Sequence, residues 1–270
     1  MNGNRQAVYT HGHHESVLRA HRRRTAEDSA GYLLPHLRPG ISVLDVGCGP
    51  GTITVDLAAR VETGRVTAVE ITDEALDLAR AEARARNQSN IEFATSDVHA
   101  LEFPNDTFDV VHAHQVLQHV ADPVQALREL RRVCVPDGIV AVRDADYAGF
   151  IWFPRLPRLE RWRELYDDAA RANGGEPDAG RRLLSWGQEA GFADITPTGS
   201  IWCFATPETR DWWGRMWADR IVGSALAGQL VDSGMATPAE LNEISSAWLD
   251  WAATPNGWLA IPHGEILCRA

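Results

Sequence analysis

The sequence predicts an α/β protein built on a doubly wound, mostly parallel sheet, and two observations carry that prediction. Short apolar runs alternate with helical patterns between Ile41 and Val142, a rhythm of successive βαβ units. The first run ends in a glycine-rich turn, Gly47-Cys48-Gly49-Pro50-Gly51, which leads directly into a helical pattern.

The elements follow in order. Ile41 to Val46 is apolar and rich in β-branched residues, bounded by Pro39-Gly40 and by glycines, so it reads as a buried parallel strand. Thr52 to Val61 has Ile53, Leu57 and Val61 at one-turn spacing and reads as a helix. Arg65 to Ile71 is the second strand. Thr72 is then placed to cap a helix running to about Asn87, with Asp73 and Glu74 at its positive end. Ile91 to Ala94 is a third strand. Asn105-Asp106 marks a turn before a fourth strand, Phe108 to Val111. Pro123 to Val133 is a helix, Pro136-Asp137-Gly138 a turn, and Ile139 to Val142 a fifth strand.

After Asp146 the rhythm breaks at Pro154 and Pro157. Helices are expected over about Arg158 to Asn173 and Arg181 to Glu189, the latter closed by Gly191, then a long strand over Ile195 to Phe204. Pro207 to Ala253 is helical in two or three pieces, and Ile266 to Cys268 forms a last strand. All ten tryptophans fall in this second half, from Trp152 to Trp258. One domain over residues 1–270 is expected: an N-terminal lid (1–30), a cofactor-binding core (31–146), and the rest of the sheet with a helical cap at about 207–253.

Composition narrows the function. Lys and Arg total 26 against 37 Asp and Glu, a net charge of −11, which repels phosphate backbones and disfavours a nucleic-acid partner. The four cysteines are dispersed with no Cys-x-x-Cys pair. Met1 to Arg24 is polar and basic rather than leader-like, and no apolar run reaches the length of a membrane span. A cytoplasmic protein with reduced thiols is expected. The His11-Gly12-His13-His14 cluster lacks neighbouring carboxylate or cysteine spacing, so no metal is expected. The basic run His21 to Arg24 reads as a solvated helix face.

The chemistry lies in the first turn. Its glycines allow close backbone approach, and the following helix presents free N–H groups. Thr52 stands where a dinucleotide fingerprint needs Gly or Ala, and the Gly-Lys-Ser/Thr of a phosphate loop is absent. Asp45, on the strand before the glycines, suits an amino group rather than a dianion. Glu70, about twenty residues beyond the glycines, suits the two hydroxyls of a ribose. Asp97, followed by Val98, suits an exocyclic amine beside an apolar wall. Together they describe an adenosine carrying an amino-acid tail.

These residues resemble a class I S-adenosylmethionine-dependent methyltransferase. The likeness rests on VLDVGCGPGT (Val43 to Thr52), VEIT (Val69 to Thr72), Ser96 to Val98, FDVVHAHQVLQHVADP (Phe108 to Pro123) and LRRVCVPDGIVAV (Leu130 to Val142). Within the class it is nearest the ubiquinone/menaquinone-biosynthesis C-methyltransferase-like group and the small-molecule methyltransferases of secondary metabolism. The resemblance implies a seven-stranded Rossmann-like sheet with an antiparallel last strand. It implies S-adenosyl-L-methionine as cofactor, with S-adenosylhomocysteine as product. Gly47, Gly49 and Gly51 would pass beneath the methionine moiety, Asp45 near its amino group and Thr52 at the helix start. Glu70 would take the ribose, Ile71 pack on the adenine, and Asp97 and Val98 bind its edge. His114 and Gln115 would line the cofactor near the methyl.

Methyl transfer is an in-line displacement at a sulfonium, so a base is needed only if the acceptor must lose a proton. His119, His14 and His114 are the candidates, with His119 first and Tyr9 as a positioning group. Tyr9 to Thr25 is expected to fold over the cofactor, with Arg24 pairing the methionine carboxylate. The tryptophan-rich cap would supply the site for a small apolar or aromatic acceptor, although most of its tryptophans should serve packing. The chain is also a candidate homo-oligomer. The alternatives are a non-methylating cyclase that uses the sulfonium as a fixed charge, an NAD-dependent oxidoreductase, and a non-catalytic scaffold subunit.

Overall fold

The structure, a computed structural model, describes residues 23–270. Tyr9, His14 and the histidine cluster therefore lie outside the described residues, as does most of the expected lid. Its last residues form a one-turn helix, α1 (Ala26–Ser29), capped reciprocally by Thr25 and Asp28.

The first half follows the expected alternation: β1 (Ser42–Val46), α2 (Thr52–Val61), β2 (Arg65–Glu70), α3 (Asp73–Ala85), β3 (Ile91–Thr95), β4 (Phe108–His114), α4 (Pro123–Val133) and β5 (Cys134–Ala145). Thr72 caps α3, its Oγ1 accepting the N–H of Ala75 at 3.4 Å. Asp122 caps α4, with Pro123 supplying a ready-set φ and no orphan N–H. The turn expected at Pro136-Asp137-Gly138 is instead an irregularity within β5. Phe108 pairs with Cys134 and Val110 with Ile139, so the intervening residues bulge while the strand continues.

The second half adds a short strand, β6 (Ile151–Phe153), then α5 (Pro157–Ala172), α6 (Leu183–Glu189) and β7 (Ile195–Phe204). Three cap helices follow, α7 (Pro207–Gly223), α8 (Ala225–Asp232) and α9 (Pro238–Ala253), before the final strand β8 (Trp258–Arg269). Among the described residues the sheet thus has eight strands rather than the expected seven, because β6 pairs with the start of β8. The last strand is twelve residues long, far more than Ile266 to Cys268. Pro262 and Gly264 disguise it as a turn in the sequence.

The order runs β3-β2-β1-β4-β5-β8, with β6 and β7 also pairing with β8. Strands β1 to β5 are mutually parallel, and β8 is antiparallel to β5, β6 and β7. The chain winds outward from β1 through β2 to β3, then returns to place β4 on the other side of β1. That reversal opens a crevice beyond the carboxyl ends of β1 and β4, where ligands of doubly wound sheets bind. One apolar core fills the sheet interface with α4 and α6, and another, rich in tryptophan, joins α5 to the cap helices.

Candidate functional site

The glycine turn after β1 needs its glycines for two reasons. Gly47, Gly49 and Gly51 have φ of 68°, 53° and 82°, in the left-handed region. A Cβ on Gly47 would also land on Val116 Cγ2, and one on Gly51 would lie 2.8 Å from Ala79 Cβ. The loop is fixed from below: the N–H groups of Gly47 and Cys48 both donate to the Val69 carbonyl. Gly49 N–H donates to Glu70 Oε1 at 2.9 Å, and Ile71 N–H donates to Glu70 Oε2 at 3.0 Å.

A cavity of about 570 Å³ opens beside this loop. Asp45, Gly47, Gly49, Thr52, Glu70, Ile71, Asp97, Val98, His114, Gln115, His119 and Arg24 all border it. Gly51 lies one step behind, against α3. Ile71 is 55% exposed, so it is not a core side chain and presents bare apolar surface to the cavity. Val98 is buried and shares its contacts with the core. Asp97 Oδ1 accepts from His99 N–H (2.9 Å) and lies 2.8 Å from His99 Nδ1, while Oδ2 accepts nothing among the described residues. Burial raises the Asp97 carboxyl, but these bonds outweigh it and hold the group below its usual range.

Asp45 sits differently from the free carboxylate the sequence suggested. It is 3% exposed, and both oxygens are engaged: Oδ2 by Thr54 Oγ1 at 2.6 Å and Oδ1 by His112 Nδ1 at 2.8 Å. Asp45 and His112 are register partners across β1 and β4, which puts both side chains on one face.

His114 and His119 do not have the surroundings of a base tuned near neutrality. Burial, then the cations of Arg143 and Arg24, drive His114 well below its ordinary value. Burial, then Arg24, lowers His119 to about 3. His119 Nε2 lies 2.9 Å from Gln118 Nε2. Arg24 Nη2 donates to Gln115 Oε1 at 2.6 Å, and its guanidinium stands 5.4 Å from the Trp202 ring. Gln115, with φ of 55°, also reaches His263 Nε2 at 3.0 Å.

Sequence reasoning missed His112, His263, Arg143 and Glu265. Arg143 is fully buried, donating to Glu265 Oε1 at 3.1 Å and lying 4.9 Å from Trp202. A charged residue inside an apolar run, as in IVAVRDA, is the signal that was available.

The far wall is aromatic. Phe204, Trp212, Trp213, Met216 and Trp217 border the cavity, as do Tyr147 and Phe150. Four of the ten tryptophans line it: Trp202, Trp212, Trp213 and Trp217. Trp162, Trp248 and Trp251 are fully buried and interlock edge-to-face behind it, so α7 forms the wall and α9 supports it. The expected cap is therefore a single lining helix with a packed backing.

A glycine loop at the topological switch point, a carboxylate ending β2 and an aromatic wall thus share one cavity in a Rossmann-like fold. The chain belongs to the methyltransferase-domain family, whose profile matches residues 37–191. It is 34% identical to an uncharacterized methyltransferase of Schizosaccharomyces pombe over 98% of this chain and 97% of that protein. Likeness to a ubiquinone/menaquinone biosynthesis C-methyltransferase of Shewanella sp. (strain ANA-3), at 33% identity, covers 48% of this chain and 49% of that one. A crystal structure of a putative methyltransferase from Bacillus halodurans shares the fold, with a TM-score of 0.56, 18% identity, and coverage of 88% and 97%. So does a [4+2]-cyclase, with a TM-score of 0.51, 21% identity, and coverage of 98% and 87%. The protein is an S-adenosylmethionine-dependent methyltransferase, and the bare Ile71 surface, the open Asp97 Oδ2 and the Cβ-free loop fit that cofactor.

Proposed function

We propose that this enzyme methylates a small apolar or aromatic metabolite. One observation carries the reading: a single cavity joins the glycine loop to the aromatic face of α7. Its size and apolar lining match sites for small organic molecules. The net charge of −11 supports a small-molecule acceptor over a nucleic acid.

In this reading Glu70 accepts the ribose hydroxyls and Asp97 Oδ2 accepts the adenine amine, with Ile71 and Val98 on the ring faces. Gly47, Gly49 and Thr52 line the methionine tail, Gly51 lets the loop close on α3, and Arg24 faces the tail's carboxylate. The bound cofactor supplies a methyl group on a sulfonium, already electrophilic. The chain aligns and desolvates the reactants, an effect that can reach about 7–11 kcal/mol. Trp212, Trp213 and Phe204 hold the acceptor and exclude water. His114 and His119 stay neutral and weakly basic, so they position groups rather than remove a proton. The acceptor atom is accordingly one that reacts without a histidine base from these two positions.

A labelled-methyl assay against extracted metabolites, with mass identification of the product, tests this. A labelled aromatic or lipophilic product supports it. Cofactor binding with no methylated product would instead favour the cyclase alternative.

A further inference from the structure

The cofactor's amino-acid tail carries an ammonium group, and the loop that would hold it follows a buried carboxylate, Asp45, each of whose oxygens already has one partner within the fold. Thr54 Oγ1 donates to Oδ2 at 2.6 Å, and His112 Nδ1 lies 2.8 Å from Oδ1. A carboxylate oxygen at that distance requires His112 to carry its proton on Nδ1. In the neutral ring Nε2 is then a bare lone pair. His112 is fully buried, its Nε2 has no hydrogen-bond partner among the described residues, and the residue borders the cavity beside Asp45, Val46 and Gly47. An orphaned buried acceptor is costly unless a ligand completes it.

We propose that His112 Nε2 accepts a hydrogen bond from the α-ammonium of the bound cofactor, with Asp45 fixing the tautomer and supplying the opposing charge one ring away. The inference rests on the cofactor occupying the cavity as described above. It adds a binding residue on β4 that recognises the amino group. The logic matches that of metal-bound histidines, where a carboxylate on one ring nitrogen orients and strengthens the other as a ligand.

The test compares two probes by calorimetry: S-adenosylhomocysteine, and its analogue with hydrogen in place of the amino group. His112→Asn is the informative variant, because the Asn amide can still donate to Asp45 while nothing replaces Nε2. It should weaken S-adenosylhomocysteine binding by about tenfold or more, the scale of a hydrogen bond to a charged group. It should leave binding of the deamino analogue within about twofold of wild type on the same scale. Equal losses on both probes, or no loss on either, overturn the proposal while the cofactor assignment stands. Failure of the wild-type protein to bind S-adenosylhomocysteine overturns both. A second measurement covers a variant that does not fold. In nitrogen-edited NMR of the wild-type enzyme, one unprotonated histidine Nε2 should shift with S-adenosylhomocysteine and not with the analogue. No histidine Nε2 with that selectivity overturns the proposal.

Discussion

The backbone N–H of Gly49 donates to Glu70 Oε1 at 2.9 Å, which ties the glycine loop after β1 to the end of β2. One carboxylate therefore both shapes the loop and faces the cavity. Glu70→Ala removes both contributions. Cofactor affinity should fall by about 1–3 kcal/mol, the scale of a lost hydrogen bond to a charged group. Titration with S-adenosylhomocysteine measures it, and unchanged affinity would remove Glu70 from the ribose site.

Two glycine-to-alanine changes should have opposite signs. Gly51 has φ of 82°, and its added Cβ would meet Ala79 Cβ at 2.8 Å and Cα at 2.9 Å. Strain and overpacking together should cost about 2 kcal/mol or more. Gly228 lies within α8 with nothing inside 4 Å of an added Cβ. Gly228→Ala should stabilise by about 0.5–1 kcal/mol through helix propensity. Denaturant melts of the two variants give the comparison directly.

Asp144 is fully buried beneath the turn that carries His119. Its Oδ1 accepts the Gln118 N–H at 3.2 Å, and its Oδ2 has no partner. Burial pushes its carboxyl up to about 7, against the backbone N–H groups of Gln118 and Leu117 and the Arg143 charge. The native state thus holds this proton more tightly than the unfolded chain does. The associated stability is present below about pH 4 and is lost as pH rises through about 7. Asp144→Asn removes that loss, so its thermal midpoint relative to wild type should be higher at pH 8 than at pH 5. A difference independent of pH would show that Asp144 does not titrate there.

Pocket and packing tryptophans should separate by assay. Trp212 borders the cavity, with Arg23 4.9 Å from its ring. Trp212→Ala should raise the acceptor KM several-fold, by the lost aromatic contact of roughly 0.5–1.5 kcal/mol, and leave cofactor affinity unchanged. Trp162 is fully buried, 4.5 Å from Trp217 and 4.9 Å from Trp248. Trp162→Ala should lose about 3–5 kcal/mol of stability. A Trp212 variant with weakened cofactor binding and an unaltered acceptor KM would contradict the division.

Local signals made much of this protein legible. Thr52–Val61 and Pro123–Val133 have the same bounds in pattern and structure, because a glycine turn and an Asp-Pro start mark their ends chemically. The long strand β7 is equally plain. The last strand was not: Pro262 and Gly264 break its pattern, yet pairing on both sides, with β5 and β7, holds it extended. β6 is three residues just before Pro154 and exists only because β8 offers an edge.

By itself the sequence determined the parallel βαβ order, the glycine turn and the side chains along it, since backbone sterics and hydrophobic period act over a few neighbouring residues. Only the tertiary structure decided what each of those side chains can do. Residues 45 and 112 are far apart in the chain, and strand register alone brings Asp45 against His112. Burial, then Arg24, likewise lowers His119 to about 3, which its place in the sequence does not show. The ten tryptophans were visible at once, but which meet the cavity depended on tertiary placement: Trp202 comes from β7, and Trp212, Trp213 and Trp217 from the face α7 turns toward the sheet. Helical period fixes which residues share a face, while packing against α9 and β7 selects the face that is left open.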